Sequence, residues 1–188
     1  MRGVIAPGVE VTEEVRAVLA ACPSMDGLDL ATGVSTRKPY TFGSPKARNH
    51  IVAYDYGIKA NILRLFDQRN CRVTVVPATT SAEAALELEP DGIFLSNGPG
   101  DPAAVAYAPG IIRTIADRGV PIFGICLGHQ LLALTFGGQT EKMPYGHRGG
   151  NHPVLEIEKG RSVELRPLSR TEFSLDQQRA HAPGLPRR

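Results

Sequence analysis

The chain has 188 residues, of which 42% are hydrophobic, with 21 basic against 19 acidic side chains; that is room for one core domain and a little more. A formal net charge of +2 supplies no basic stripe for nucleic acid, and no apolar run approaches the roughly 18 residues of a membrane span or the apolar region of a signal peptide. No nucleic-acid or membrane partner is expected, and a cytoplasmic location follows by default.

The first helical pattern covers residues 12–22, where Val15, Val18, Leu19 and Cys22 share a face and Glu13 and Glu14 lie in the first turn. Residues 23–49 are rich in Gly, Pro, Ser and Thr and read as a connection between domains. Residues 1–45 are accordingly taken as the end of an amino-terminal domain plus a linker, 46–160 as the main domain and 161–188 as an atypical tail. In the main domain the pattern predicts strands at 51–55, 72–76, 92–96, 120–125 and 139–143. Helices are predicted between them at 58–69, 81–89, 103–118 and 127–136. Strands separated by helix-length segments imply an α/β fold, a doubly wound, mostly parallel sheet covered on both faces. Ligands of such sheets bind outside the carboxyl ends of the strands.

Two segments fall at such ends. Gly124-Ile125-Cys126-Leu127-Gly128 joins an apolar strand to a helical pattern and reads as a nucleophile elbow, with glycines letting strand and helix approach closely. A helix N-terminus beside the Cys126 sulfur favours thiolate, the nucleophilic form. The second segment, Ser96-Asn97-Gly98-Pro99-Gly100-Asp101-Pro102, packs two glycines and two prolines into seven positions. It is rigid and exposes backbone N–H groups to a developing oxyanion or a bound amino acid; its plainer reading is a strand-to-helix turn capped by Asp101. The three cysteines, Cys22, Cys71 and Cys126, show no metal-ligand spacing, so neither a metal site nor a disulfide framework is expected. Cys22 and Cys71 read as buried small hydrophobes.

The segment Gly124-Ile125-Cys126-Leu127-Gly128-His129-Gln130 resembles the nucleophile motif of the class I glutamine amidotransferases. Leu95 to Pro102, Gly146 to Val154, Met25 to Leu30 and Val34-Ser35-Thr36 are similar, within that family, to the carbamoyl-phosphate synthetase small chains. The resemblance runs from about residue 3 to about residue 160. It implies a class I amidotransferase domain with flavodoxin-like layering, incomplete here. It further implies that Cys126 attacks the carboxamide carbon of glutamine, that the N–H groups of Leu127 and Gly98 form the oxyanion hole, and that Gly98, Gly100, Leu127 and Gln130 hold the substrate. The implied partner is a large synthetase subunit, which takes the ammonia and makes carbamoyl phosphate from bicarbonate with ATP and Mg; this chain itself carries no cofactor. The resemblance serves arginine and pyrimidine synthesis alike.

The chain departs from the family pattern as well. The family's general base is a histidine in a His-Pro-x-Glu segment, with the Glu orienting the imidazole, and the sequence contains no such segment. The family's amino-terminal domain would precede Met1, and the text after Gly160 resembles neither the glutamine-binding loop nor the catalytic histidine. Five histidines are present. His129 reads as a packed polar group on the helix flank, His147 and His152 as loop residues, His50 as a solvated boundary residue, and His181 as lacking the Glu a base would need. Two other readings stand beside the first: another class I amidotransferase of the anthranilate synthase type, and a non-catalytic scaffold that keeps the fold without the triad.

Overall fold

The computed structural model describes residues 3–8, 10–141, 153–156, 159 and 161–164. Met1–Thr140 forms one compact unit and Glu141–Arg188 a second. The first unit carries helix α1 (Glu13–Ala21), α2 (Ala31–Val34), strand β1 (Tyr40–Phe42), β2 (Asn49–Asp55), α3 (Ala60–Asp67), β3 (Cys71–Pro77), α4 (Ala82–Leu86) and β4 (Gly92–Leu95). It continues with a 3-10 turn at Pro102–Ala104, α5 (Ala108–Asp117), β5 (Ile122–Gly124) and α6 (Leu127–Thr135).

These strands form one sheet in the order β1-β3-β2-β4-β5. The last four are parallel, with Ala53 opposite Phe94 and Leu95 opposite Gly124, and β1 closes one edge antiparallel to β3. The parallel order is that of a flavodoxin-like sheet, whose direction of winding reverses between β2 and β4 and opens a crevice at their carboxyl ends. Alternation along the strands divides the core in two. Val52, Tyr54, Ile93 and Leu95 face α4, α5 and α6 through Ala85, Ile112, Ile115, Leu127 and Leu131. Ala53, Val73, Val75 and Phe94 face α3 through Leu63 and Phe66, where the Phe66 ring meets Phe94 edge-on at 5.2 Å. The carboxyl end of α6 is fixed by Arg113, which donates to the Thr135 carbonyl at 2.5 Å and lies 4.5 Å over the Phe136 ring.

Several expectations need correction. The stretch read as a linker contains α2 and β1, so the sheet starts before residue 46; three residues of edge strand without strict alternation leave too little pattern to read. Helix α1 forms and is capped by Thr12, yet its apolar stripe is not buried, with Val18 53% and Leu19 37% exposed. The single helix expected at 103–118 is a 3-10 turn followed by α5. Residues 139–141 form no strand, and the remainder of that predicted strand lies outside the described residues. In the second unit, β6 (Pro153–Glu156) pairs antiparallel with β7 (Arg161–Glu164), so the tail assigned to 161–188 opens with a strand; residues 165–188 lie outside the described residues. Cys22 and Cys71 are half-buried rather than buried. Among the described residues, no helix is long and apolar enough to cross a membrane, and no group of three His, Cys, Asp or Glu side chains could hold a metal.

Candidate active site

Cys126 stands between β5 and α6 with φ 54° and ψ −114°, a positive φ that side-chain-bearing residues adopt rarely and at a cost. The flanking glycines show why the chain can make this turn. A Cβ on Gly124 would lie 2.6 Å from the Gly128 carbonyl, and one on Gly128 would collide with the backbone of Leu95. With no side chains there, the start of α6 packs directly on β4 and β5. Two backbone bonds lock it: Ile125 N–H to the Leu95 carbonyl and Gly128 N–H to the Ser96 carbonyl, each at 3.0 Å. Cys126 itself is exposed, and its carbonyl takes the first helical hydrogen bond of α6, from Gln130 N–H at 3.1 Å.

The loop after β4 lies against the same helix start. A Cβ on Gly98 would run into the Tyr56 carbonyl and come within 2.8 Å of Leu127 Cδ2, so Gly98 sits wedged between the end of β2 and the first residue of α6. Only glycine fits. Gly100 takes φ +101°, and a Cβ there would meet the Leu28 carbonyl at 2.9 Å. Among the described residues, no acceptor meets the N–H of Gly98 or of Leu127. An N–H donor on the residue after the exposed thiol, with a second on the Gly98 loop packed against that residue, is an arrangement that can stabilise an oxyanion formed by attack of the sulfur once both donors reach it.

The Ser96–Pro102 loop is tied down on both sides by polar groups, of which the sequence alone singled out only Asp101. Ser96, fully buried, accepts from Tyr56 N–H at 2.9 Å and donates to the Asn97 carbonyl at 2.8 Å. Asn97 Nδ2 donates to the Gly57 carbonyl at 2.8 Å and its Oδ1 accepts from Lys59 N–H at 3.3 Å. Asp101 caps the 3-10 turn through Ala103 N–H, as its plainer reading expects, and also accepts from Gly27 N–H at 2.9 Å. Its own N–H donates to the Leu28 carbonyl. The Met25–Leu30 stretch is thereby fastened to the loop.

Of the sequence-assigned residues, Cys126 and Leu127 follow β5, and the loop after β4 brings Gly98 against Leu127, while Gly100 packs on Leu28 and Leu30. Gln130 is exposed one turn along α6, and His129 is exposed beside it. His50 is not a solvated boundary residue. It lies in β2 near the strand's amino end, away from Cys126, with Nε2 2.8 Å from Thr74 Oγ1 and its N–H donated to Asp91. Burial, then the Arg72 charge, hold its imidazole below the ordinary histidine range. His147, His152 and His181 lie outside the described residues. The Tyr56 phenol is fully buried in the core cluster with Tyr54, and burial pushes its pKa up, so it stays protonated and is no substitute base. A cavity of about 370 Å³ lined by Thr32, Ser35, Thr36, Arg37, Ala78 and Thr79 includes none of the assigned residues.

Comparison with known proteins identifies the architecture. The family model of the class-I glutamine amidotransferases matches residues 52–178. The chain belongs to that family. Among class-I glutamine amidotransferases it is similar to carbamoyl phosphate synthase small chains. It is 54% identical over 159 residues to that of Chlorobaculum tepidum, across 84% of this chain and 43% of that protein. With the small chain of Escherichia coli O6:H1 it shares 52% identity over 172 residues, across 84% and 44%, and with that of Rubrivivax gelatinosus 52%, across 83% and 45%. The chain thus spans less than half the length of these relatives. The family match continues past Gly160, where the recognisable motifs stop.

Proposed function

We propose that this chain is the glutamine-hydrolysing part of a carbamoyl phosphate synthase small chain. The observation that carries the reading is Cys126, held exposed at positive φ between Gly124 and Gly128, with the Gly98 loop packed against the Leu127 that follows it. In this reading the Cys126 thiolate attacks the carboxamide carbon of glutamine and the carbonyl electron pair moves onto oxygen, where Gly98 and Leu127 donate to it. Collapse breaks the C–N bond, ammonia leaves with an added proton, and water later cleaves the thioester to glutamate. Gly100 and Gln130 would help hold the amino acid. The ammonia would pass to a large synthetase subunit that uses ATP and Mg to make carbamoyl phosphate from bicarbonate, in arginine or pyrimidine synthesis; this chain would need no cofactor of its own.

Both ammonia departure and thioester hydrolysis need a proton carrier. The His-Pro-x-Glu segment is absent from the sequence, His50 lies away from Cys126, and His129 is on the exposed flank of α6. The 188-residue chain by itself is therefore proposed to turn over glutamine weakly, since losing general acid–base catalysis costs roughly 10²–10⁴ in rate. A glutaminase assay on the purified chain tests this. Slow ammonia release, abolished by Cys126→Ser, is the expected result. Turnover equal to that of an Escherichia coli small chain assayed alongside would overturn the impairment and, with Cys126→Ser still dead, would point to His129→Ala as the next variant.

A further inference from the structure

We propose that Asp55 is a positioning residue that holds the Gly98 N–H in its oxyanion-binding place. This rests on the reading of Cys126 and Gly98 above. Asp55 ends β2 at the crevice and is only 6% exposed, and burying a carboxylate is costly unless hydrogen bonds satisfy it. Among the described residues its hydrogen-bond partners are all backbone N–H groups. Oδ1 accepts from Gly57 N–H at 2.9 Å and Ile58 N–H at 2.8 Å, while Oδ2 accepts from Thr36 N–H at 2.8 Å.

These bonds shape the Tyr56–Ile58 turn, and that turn is the wall against which Gly98 rests. The Tyr56 carbonyl fills the place of a Gly98 side chain, and a Cβ on Gly57, at φ +125°, would touch Gly98 Cα at 3.4 Å and Pro99 Cδ at 3.3 Å. Ser96 and Asn97 then stitch turn to loop through Tyr56 N–H and the Gly57 carbonyl. A shift of the turn is therefore a shift of the Gly98 N–H. An alanine at position 55 removes both acceptor oxygens and leaves the Gly57 and Ile58 N–H groups of the turn without their partner, whereas an asparagine turned with its oxygen toward them keeps both and gives up only the Thr36 bond.

The test compares two reactions of Cys126 in the full 188-residue chain. Acylation by p-nitrophenyl acetate uses the oxyanion site: the thiolate adds to the ester carbon, the carbonyl pair moves to oxygen, and collapse breaks the C–O bond and releases p-nitrophenolate with its electron pair. No proton donor is required. Alkylation by iodoacetamide forms an S–C bond as iodide leaves and creates no oxyanion. Asp55→Ala and Asp55→Ser should each lower the acylation-to-alkylation ratio roughly ten- to a hundredfold, the scale of a donor misplaced by about an ångström, while Asp55→Asn stays closer to the wild type and alkylation itself is unchanged. Asp55→Ser, whose shorter side chain keeps one polar oxygen in the buried place, decides the matter should Asp55→Ala fail to fold by circular dichroism. An unchanged ratio in folded Asp55→Ala or Asp55→Ser overturns the role of Asp55 while leaving the oxyanion site standing. A wild-type ratio no higher than that of N-acetylcysteine overturns the oxyanion site itself, and the positioning role with it.

Discussion

Replacing Cys126 by glycine and by alanine measures what the elbow costs the fold. Alanine retains a Cβ at φ 54° and ψ −114° and so retains the backbone strain, about 1–3 kcal/mol for a residue held in a sparsely populated region. Glycine releases that strain but gives the unfolded chain more freedom, a loss of about 0.4–1 kcal/mol. Both variants remove the same sulfur, so its contacts cancel in the comparison. Cys126→Gly should then exceed Cys126→Ala in stability by about 1 kcal/mol, or roughly 2–4 °C in Tm for a chain of this size. Urea titration and differential scanning calorimetry of the pair, at one protein concentration and pH, supply the number. A glycine variant equal to or less stable than the alanine variant would mean that the elbow is relaxed and that positive φ at Cys126 stores no strain.

Gly128→Ala should destabilise by at least the roughly 1–3 kcal/mol typical of overpacking, because its Cβ would collide with the backbone of Leu95; a variant melting with the wild type would refute the close approach of α6 and β4. Iodoacetamide should label the exposed Cys126 well ahead of the half-buried Cys22 and Cys71, and equal rates by peptide mapping would count against the elbow. The fold lowers the His50 pKa from its ordinary 6.5, so on acidification the unfolded chain takes up that proton first. Stability should fall as pH drops through and below that value, and His50→Gln should flatten the slope; an unaltered slope would show that other groups set it.

The elbow was legible because Gly-x-Cys-x-Gly between an apolar strand and a helical pattern has few other physical uses, and Gly124 and Gly128 prove to be sites where a Cβ cannot fit. The buried parallel strands were legible as short apolar runs for the same reason that they are buried on both faces. The polar frame was not. Asp55, Ser96 and Asn97 act on backbone groups up to 40 residues away, and residue spacing says nothing about such partners; only the Asp55-Tyr56-Gly57 order hinted that the carboxylate would turn back on its own chain. Strand β1 was hidden by its length, and the exposure of α1 could not be read from a periodicity that reports an apolar stripe but not what covers it. His50 was misread because a residue at the border of a strand looks solvated until the neighbouring strand supplies Thr74.

The central claim is that Cys126 forms a thioester with glutamine. Incubation of the full chain with the γ-p-nitrophenyl ester of carbon-labelled glutamate, followed by acid quench and peptide mapping, reads it directly: the phenolate leaves without a proton donor, while deacylation still wants its proton carrier, so a glutamyl thioester would accumulate. The account predicts label on the peptide containing Cys126 and none in Cys126→Ser. Label on Cys22 or Cys71, or no covalent label on a folded chain whose Cys126 still alkylates, would contradict it.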